Sequence, residues 1–204
     1  MRIVSGKYKG IKLHGSSRSR TRPITNKAKE RLFGFLGNDI ADKRVLDLYA
    51  GTGAIGLEAL SRECRNVTFV EINYFAYSVL HKNIELCNEL NNSKIHNLDT
   101  IKFIKRVDET FDVIFSAPPY TREHYLSFLT AINKRPQILT VGGQIIVECN
   151  KHERGMGAFN NLLKVKEILH NDTIFEIWTR LEESTLYVQE QIAEISNKRS
   201  AGAN

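Results

Sequence analysis

The chain has 204 residues, 42% of them hydrophobic and 25% charged, enough apolar content for one domain with a full core. No run approaches the length of a membrane span, and Met1-Arg2-Ile3 opens directly into a strand-like segment, so neither a transmembrane helix nor a signal peptide is expected and a cytoplasmic location follows. The three cysteines (Cys64, Cys87, Cys149) are scattered, odd in number and without a C-x-x-C pair, which argues for reduced thiols and against a disulfide framework or a metal cage. The net charge of +6 is concentrated at one end: residues 1–36 carry ten Lys/Arg against Glu30 alone, leaving 19 basic and 22 acidic residues elsewhere. A polyanion meeting this end first is the natural partner.

The segment RIVSGKYKGIKLHG alternates around Gly6 and Gly10 and predicts a small β-hairpin. Lys7, Lys9 and Lys12 on it can meet phosphates and Tyr8 can stack on a base; Arg18 and Arg20 in the following Ser/Arg-rich loop extend the same basic surface. Thr25 is a candidate N-cap for a helix from Asn26 to Leu36 that stops at Gly37. An α/β rhythm then takes over. Strands are expected at Lys43–Leu48, Asn66–Glu71, Lys94–Asn97, Phe111–Ser116 and Gln144–Cys149, the last beginning after a Gly142-Gly143 turn. Helices are expected at Ile55–Arg62, Tyr74–Leu90, Thr100–Lys105 and Glu123–Asn133. Leu162–His170 and Thr173–Arg180 read as two final strands joined by a tight turn. This spacing implies a Rossmann-like, mostly parallel seven-stranded sheet with an antiparallel last strand, preceded by a small hairpin-and-helix extension. The expected division is 1–37 for the basic extension, 38–181 for the α/β domain and 182–204 for a polar tail with a short helix near Leu186–Ile195.

Two loops carry the chemistry. VLDLYAGTGAIGLEAL joins a strand to a helix through Gly51, Gly53 and Gly56, where glycines permit backbone conformations and close approaches that a Cβ would block. Taken literally, Gly51-Thr52-Gly53-Ala54-Ile55-Gly56 is a dinucleotide fingerprint, with Glu71 about 20 residues beyond its first glycine to meet a ribose. Asp47, four positions before Gly51, makes D-x-x-x-G-x-G instead, a pattern that resembles the loop of S-adenosylmethionine-dependent methyltransferases. A carboxylate near the loop suits a cofactor bearing a sulfonium and no pyrophosphate. Candidate cofactor contacts are Asp47, Tyr49, Gly51, Thr52, Gly53, Glu71, Ile72, Asp99 and Thr100; Asp99 can accept from an adenine amine or cap the helix that follows it.

The second loop, Ser116-Ala117-Pro118-Pro119-Tyr120, resembles the [D/N/S]-P-P-[Y/F/W] motif of methyltransferases that modify exocyclic amines of bases. An acceptor at its first position, together with a proline carbonyl, holds the amine hydrogens and localises its lone pair, and the aromatic ring stacks on the base. The first position here is Ala117, which has no acceptor, and Ser116 lies one residue early, on the opposite side of an extended strand.

In order and spacing, RIVSGKYKGIKL, TRPITNKAKERLFGFL, VLDLYAGTGAIGLEALSR, VTFVE, FDVIFSAPPY and GGQIIVE are similar to the RsmD family of bacterial 16S ribosomal RNA guanine-N2 methyltransferases, over residues 1 to about 180. The resemblance implies a methyltransferase domain, S-adenosylmethionine as cofactor, 16S RNA of the small ribosomal subunit as partner, and a monomer without a metal. It also implies that Arg22, Pro23 and Thr25 help close the site. Ala117 departs from the family's aspartate, the His170-Asn171 region lacks the expected tyrosine–glycine, and the tail after Leu181 is longer than typical. A DNA adenine-N6 methyltransferase shares both loops but needs a target-recognition domain. A binding protein without catalysis is consistent with Ala117, and a nicotinamide dehydrogenase accounts for neither the basic end nor P-P-Y.

Overall fold

The computed structural model describes residues 1–16, 24–155 and 157–182. Arg18, Arg20, Arg22, Pro23 and the helix expected near Leu186–Ile195 lie outside them. The chain folds as α1 (Asn26–Leu36), β1 (Arg44–Leu48), α2 (Ala54–Ser61), β2 (Asn66–Val70), α3 (Tyr74–Leu86), β3 (Ser93–His96), α4 (Thr100–Arg106), β4 (Phe111–Ser116), α5 (Arg122–Lys134), β5 (Leu139–Cys149), β6 (Leu162–His170) and β7 (Thr173–Arg180). The seven strands form one sheet in the order β3-β2-β1-β4-β5-β7-β6, with β7 antiparallel to both neighbours and all other pairs parallel.

Strand periodicity decides what packs where. Val45, Val67, Phe69, Val113, Phe115 and Ile146 face one side, against Leu32 and Phe33 of α1, Leu57 of α2 and Leu80 of α3. The alternate residues Leu46, Leu48, Val70, Ile114, Ile145 and Val147 face the other, against Phe103 of α4 and Tyr125, Phe128 and Leu129 of α5. Four helices start on a short polar side chain that accepts from an amide three residues on: Thr25, Asn73, Asp99 and Thr121. α2 starts at Gly53 with no side-chain cap, so its first N–H groups are left for other partners.

Two boundaries differ from expectation. α3 stops at Leu86 rather than Leu90 because Asn88 is left-handed (φ 55°), which turns Glu89 inward to only 1% exposure. β5 begins at Leu139, before the glycine pair; a register shift opposite Phe111–Val113 absorbs Gly142 and Gly143 within the strand. The N-terminal hairpin is short: its arms pair at the Arg2–Lys12 bridge and through Ile3 N to Ile11 O (3.0 Å), Gly10 N to Ile3 O (2.9 Å) and Leu13 N to Met1 O (3.1 Å), around a run of turns.

That N-terminal segment is also fastened to α2. Glu58 is fully buried and accepts from the amides of Val4 (2.9 Å) and Ser5 (3.0 Å) and from Arg62 Nε (3.1 Å). Buried Lys29 reaches across to Glu58 (3.2 Å) and to the Arg2 carbonyl (2.6 Å); burial lowers its pKa while Glu58 opposes that fall. Ser61 Oγ donates to Ser5 O (2.5 Å) and accepts from Tyr8 N (2.9 Å). Ile3 and Leu13 join the same apolar cluster as Val45 and Phe69.

Candidate cofactor and base site

β1 ends at Leu48 and the chain turns through Tyr49 (φ 57°), Gly51 (58°) and Gly53 (84°), all left-handed. At Tyr49 this conformation stores strain of about 1–3 kcal/mol, of the kind that the surroundings must enforce. Gly53 has no room for a side chain: a Cβ would stand 2.4 Å from Leu80 Cδ1. At Gly51 the same direction is open space, so there the loop presents bare backbone outward.

Two carboxylates hold this loop. Glu71 accepts the Gly51 amide on one oxygen (2.7 Å) and the Asn73 amide on the other (2.7 Å). Asp47 accepts the Gly56 amide (2.9 Å). Asp47 and Glu71 are 4% and 5% exposed. Burial, with the Glu71 charge adding to it, pushes the Asp47 carboxyl up to about 7 against the opposing pull of the Gly56 N–H. Next along the strand ends, Asn97 Nδ2 donates to the carbonyls of Glu71 (2.8 Å) and Ile72 (3.1 Å), leaving the Ile72 side chain 62% exposed. Asp99 caps α4 through Lys102 N (2.9 Å). Thr100 is buried beside Tyr49, whose phenol burial pushes up to about 12. Thr52 is held by its carbonyl, which accepts from Asn83 Nδ2 (2.9 Å).

This donor set fits S-adenosylmethionine. The uncapped start of α2 and the open side of Gly51 offer amides and space for close approach, and Asp47 and Glu71 supply negative charge for a cation. Each carboxylate retains lone pairs for hydroxyl donors, while Ile72 offers an apolar surface to a purine ring.

The proline loop stands at the neighbouring strand end. Leu48 pairs with Ser116, and Ala117 N donates to Leu48 O at 3.4 Å. Ser116 Oγ is buried without a hydrogen-bond partner. Ala117 is exposed, Pro118 buried, and the Pro119 carbonyl accepts from Thr121 N (2.6 Å). Tyr120 is 40% exposed and its hydroxyl donates to Glu148 Oε1 at 2.5 Å.

A shallow cleft lies between the two loops, lined by Asp47, Ile55, Ser116, Ala117 and Glu148 over a floor that includes Phe115 and Phe175. A second is lined by Ile24, Thr25 and Ala28 at the start of α1, by Glu148, and by His170–Thr173 between β6 and β7. Asp47, Ser116 and Ala117 thus meet in one cleft, with Gly51 and Glu71 bonded alongside, and Thr25 belongs to the adjoining one. Lys9 and Lys12 are exposed. Lys7 and Tyr8 both bond to buried Glu89, at 2.6 and 2.5 Å. Glu148 is the site residue that the sequence reading passes over. Its signal was an acid closing an apolar strand, as Glu71 closes the expected Asn66–Glu71 strand.

Among the described residues, no helix is long and apolar enough to cross a membrane, and no group of three His, Cys, Asp or Glu side chains is placed to hold a metal ion. The three cysteines are buried and free.

The family model described as Conserved hypothetical protein 95 matches residues 1–179. YlbH of Bacillus subtilis is 32% identical over 157 residues, 76% of this chain and 83% of YlbH. Ribosomal RNA small subunit methyltransferase D of Escherichia coli (strain K12) is 33% identical over 122 residues, which span 60% of this chain and 61% of that protein. The solved structure of yhhF from Escherichia coli matches with a TM-score of 0.79 and 27% identity, covering 89% of this chain and 98% of that one. A family match over nearly the whole described chain, with relatives at this identity and the same sheet, places the protein in the Conserved hypothetical protein 95 family, the RsmD family of methyltransferases.

Proposed function

We propose that the protein transfers the methyl group of S-adenosylmethionine to the exocyclic N2 amine of a guanine in small-subunit ribosomal RNA. The observation that carries the reading is the shared cleft. Asp47 and Ile55, on either side of the glycine turn, and Ser116 and Ala117, at the start of the Pro-Pro-Tyr loop, line one space at adjacent strand ends. The name of the Escherichia coli relative supports the substrate class. When bound, held by Asp47, Gly51 and Glu71, the cofactor would supply an electrophilic methyl carbon for the amine nitrogen, its sulfur would keep the carbon–sulfur electron pair, and the surplus amine proton would pass to water. The chain's own task is positioning. Asp47 and Glu71 hold the loop and its charge, Tyr120 offers a ring face to the base, and Pro118 and Pro119 keep the loop rigid. Lys9 and Lys12 meet phosphates.

The protein is to be incubated with methyl-labelled S-adenosylmethionine and, in turn, naked 16S RNA, assembled small subunits and duplex DNA. Label at guanine N2 in ribosomal material is the expected result; label at adenine N6 in DNA would replace this reading with the DNA enzyme. Ala117, exposed and without an acceptor, motivates a second reading, an RNA- and cofactor-binding protein without turnover. That one requires cofactor binding with no label on any substrate.

A further inference from the structure

An amine on a purine becomes a usable nucleophile only when its hydrogens are held, and the residue at the start of the proline motif cannot hold them. The question is which acceptor in the cleft can. Ser116 Oγ is buried and unpartnered, but it stands in the row of Leu48 and Val147, whose side chains belong to the face packed on α5. Glu148 stands differently. The β4–β5 pairing runs Phe115 with Ile146 and Ser116 with Val147, so one step further the register sets Glu148 beside Ala117. Alternation puts Glu148 on the face of Ile146 and Phe115, which is also the face of Asp47. Glu148 lines both clefts, and its Oε1 already receives the Tyr120 hydroxyl at 2.5 Å.

From this placement we infer that Glu148 accepts the N1–H and N2–H hydrogens of the target guanine, occupying the role that Ala117 has vacated. The inference rests on the function proposed above and names the group that selects its base. Of the purines, guanine alone offers two adjacent donors on its Watson–Crick edge, spaced for the two oxygens of one carboxylate. Adenine presents a ring nitrogen acceptor where guanine has N1–H, and a carboxylate repels it. The Tyr120–Glu148 hydrogen bond fixes the carboxylate next to an exposed ring, so a base held by Glu148 has an aromatic surface at hand. Thr25 and the β6–β7 turn line the adjoining cleft, which Glu148 shares.

Two measurements test the assignment on the intact protein. The first is ligand-observed NMR with guanosine, inosine and adenosine in the presence of S-adenosylhomocysteine. Wild type is expected to favour guanosine over inosine, which lacks the 2-amino group, and over adenosine; Glu148→Gln, which puts an amide donor where the edge needs an acceptor, is expected to lose that preference while keeping its affinity for S-adenosylhomocysteine within twofold. An unchanged preference in Glu148→Gln, or none in wild type, overturns the assignment. The second is methyl transfer to small-subunit RNA. Glu148→Gln is expected to lower kcat by at least tenfold, and adding Ala117→Asp to it to restore at least a third of wild-type turnover. Turnover within twofold of wild type in Glu148→Gln, or no rescue by Ala117→Asp, also overturns it. If wild type places no label on guanine at all, the proposed function fails, while the nucleoside preference still decides the role of Glu148.

Discussion

Asp47 carries a cost that its substitution should expose. Its carboxyl is 4% exposed and titrates near 7 in the folded protein, against a reference of 3.8, chiefly because burial disfavours the charge. The sign follows directly. A carboxyl whose folded pKa is raised binds its proton more tightly when folded, so its stabilising contribution is complete below about pH 4 and falls as pH rises toward 7. Between the ordinary 3.8 and about 7, at about 1.36 kcal/mol per pH unit, that loss comes to roughly 4 kcal/mol by pH 8. Asp47→Asn removes the charge and keeps a carbonyl oxygen for the Gly56 amide, so it recovers part of this amount, about 1–3 kcal/mol after its new NH₂ donor is left short of partners. Urea unfolding of both proteins at intervals from pH 4 to pH 9, without ligand, is the assay. Asp47→Asn is expected to be the less stable or equal protein at pH 4 and the more stable one at pH 8. Stability differences that stay constant across this range would refute the account of a buried, reluctantly ionised carboxylate. The same variant is expected to bind S-adenosylmethionine at least tenfold more weakly, read by isothermal titration calorimetry.

Three further predictions concern the N-terminal segment. Glu58→Gln leaves the Lys29 ammonium buried without its counter-charge and is expected to destabilise the protein by about 3–5 kcal/mol in urea unfolding; a loss under 1 kcal/mol would mean that the pair is dispensable. Gly6→Ala places a Cβ 1.8 Å from the Ser61 carbonyl oxygen at a backbone φ of 79°, and hydrogen exchange in residues 1–16 is expected to accelerate at least tenfold, whereas unchanged protection would contradict this docking. Replacing Lys9 and Lys12 together by Gln is expected to weaken binding to small-subunit RNA and to lower the log–log salt slope by about 1.4–1.8. Lys7→Gln, by contrast, is expected to change that slope little because its ammonium is already paired with Glu89.

Local rules carried much of this structure into the sequence. Thr25, Asp99 and Gly37 mark helix ends where capping chemistry puts them, and the alternation from Leu162 to Arg180 marks both final strands to the residue. The glycine loop was legible because backbone conformation demands particular residues there. Legibility failed where a residue's partner is remote in sequence. Glu89 bonds Lys7 and Tyr8 from 81 or more positions away, so a cation and a ring that read as surface groups in the sequence are in part internal struts. Glu148 pairs with Tyr120 across 28 positions, and only strand register sets it beside Ala117. The glycine pair at 142–143 misled for a different reason: in isolation it signals a turn, but the neighbouring β4 backbone tolerates a register shift and keeps the segment in the sheet.

The reversal of β7 has a practical side. Because β7 runs against β5, its first residues, not its last, lie at the cleft, where Thr173 lines the wall beside Thr25. Eight residues at about 3.4 Å each then carry the chain some 27 Å away before it leaves the sheet. There Arg180 is tied to the carbonyl of Leu139, the first residue of β5, and Leu181 N to Asn161 O, at the opposite end of the strands. A fluorophore or affinity handle joined beyond Glu182 therefore starts on the far side of the sheet from Tyr120 and Glu148, while a probe inserted at Asn171 would sit at the mouth of the cleft and report on what enters it.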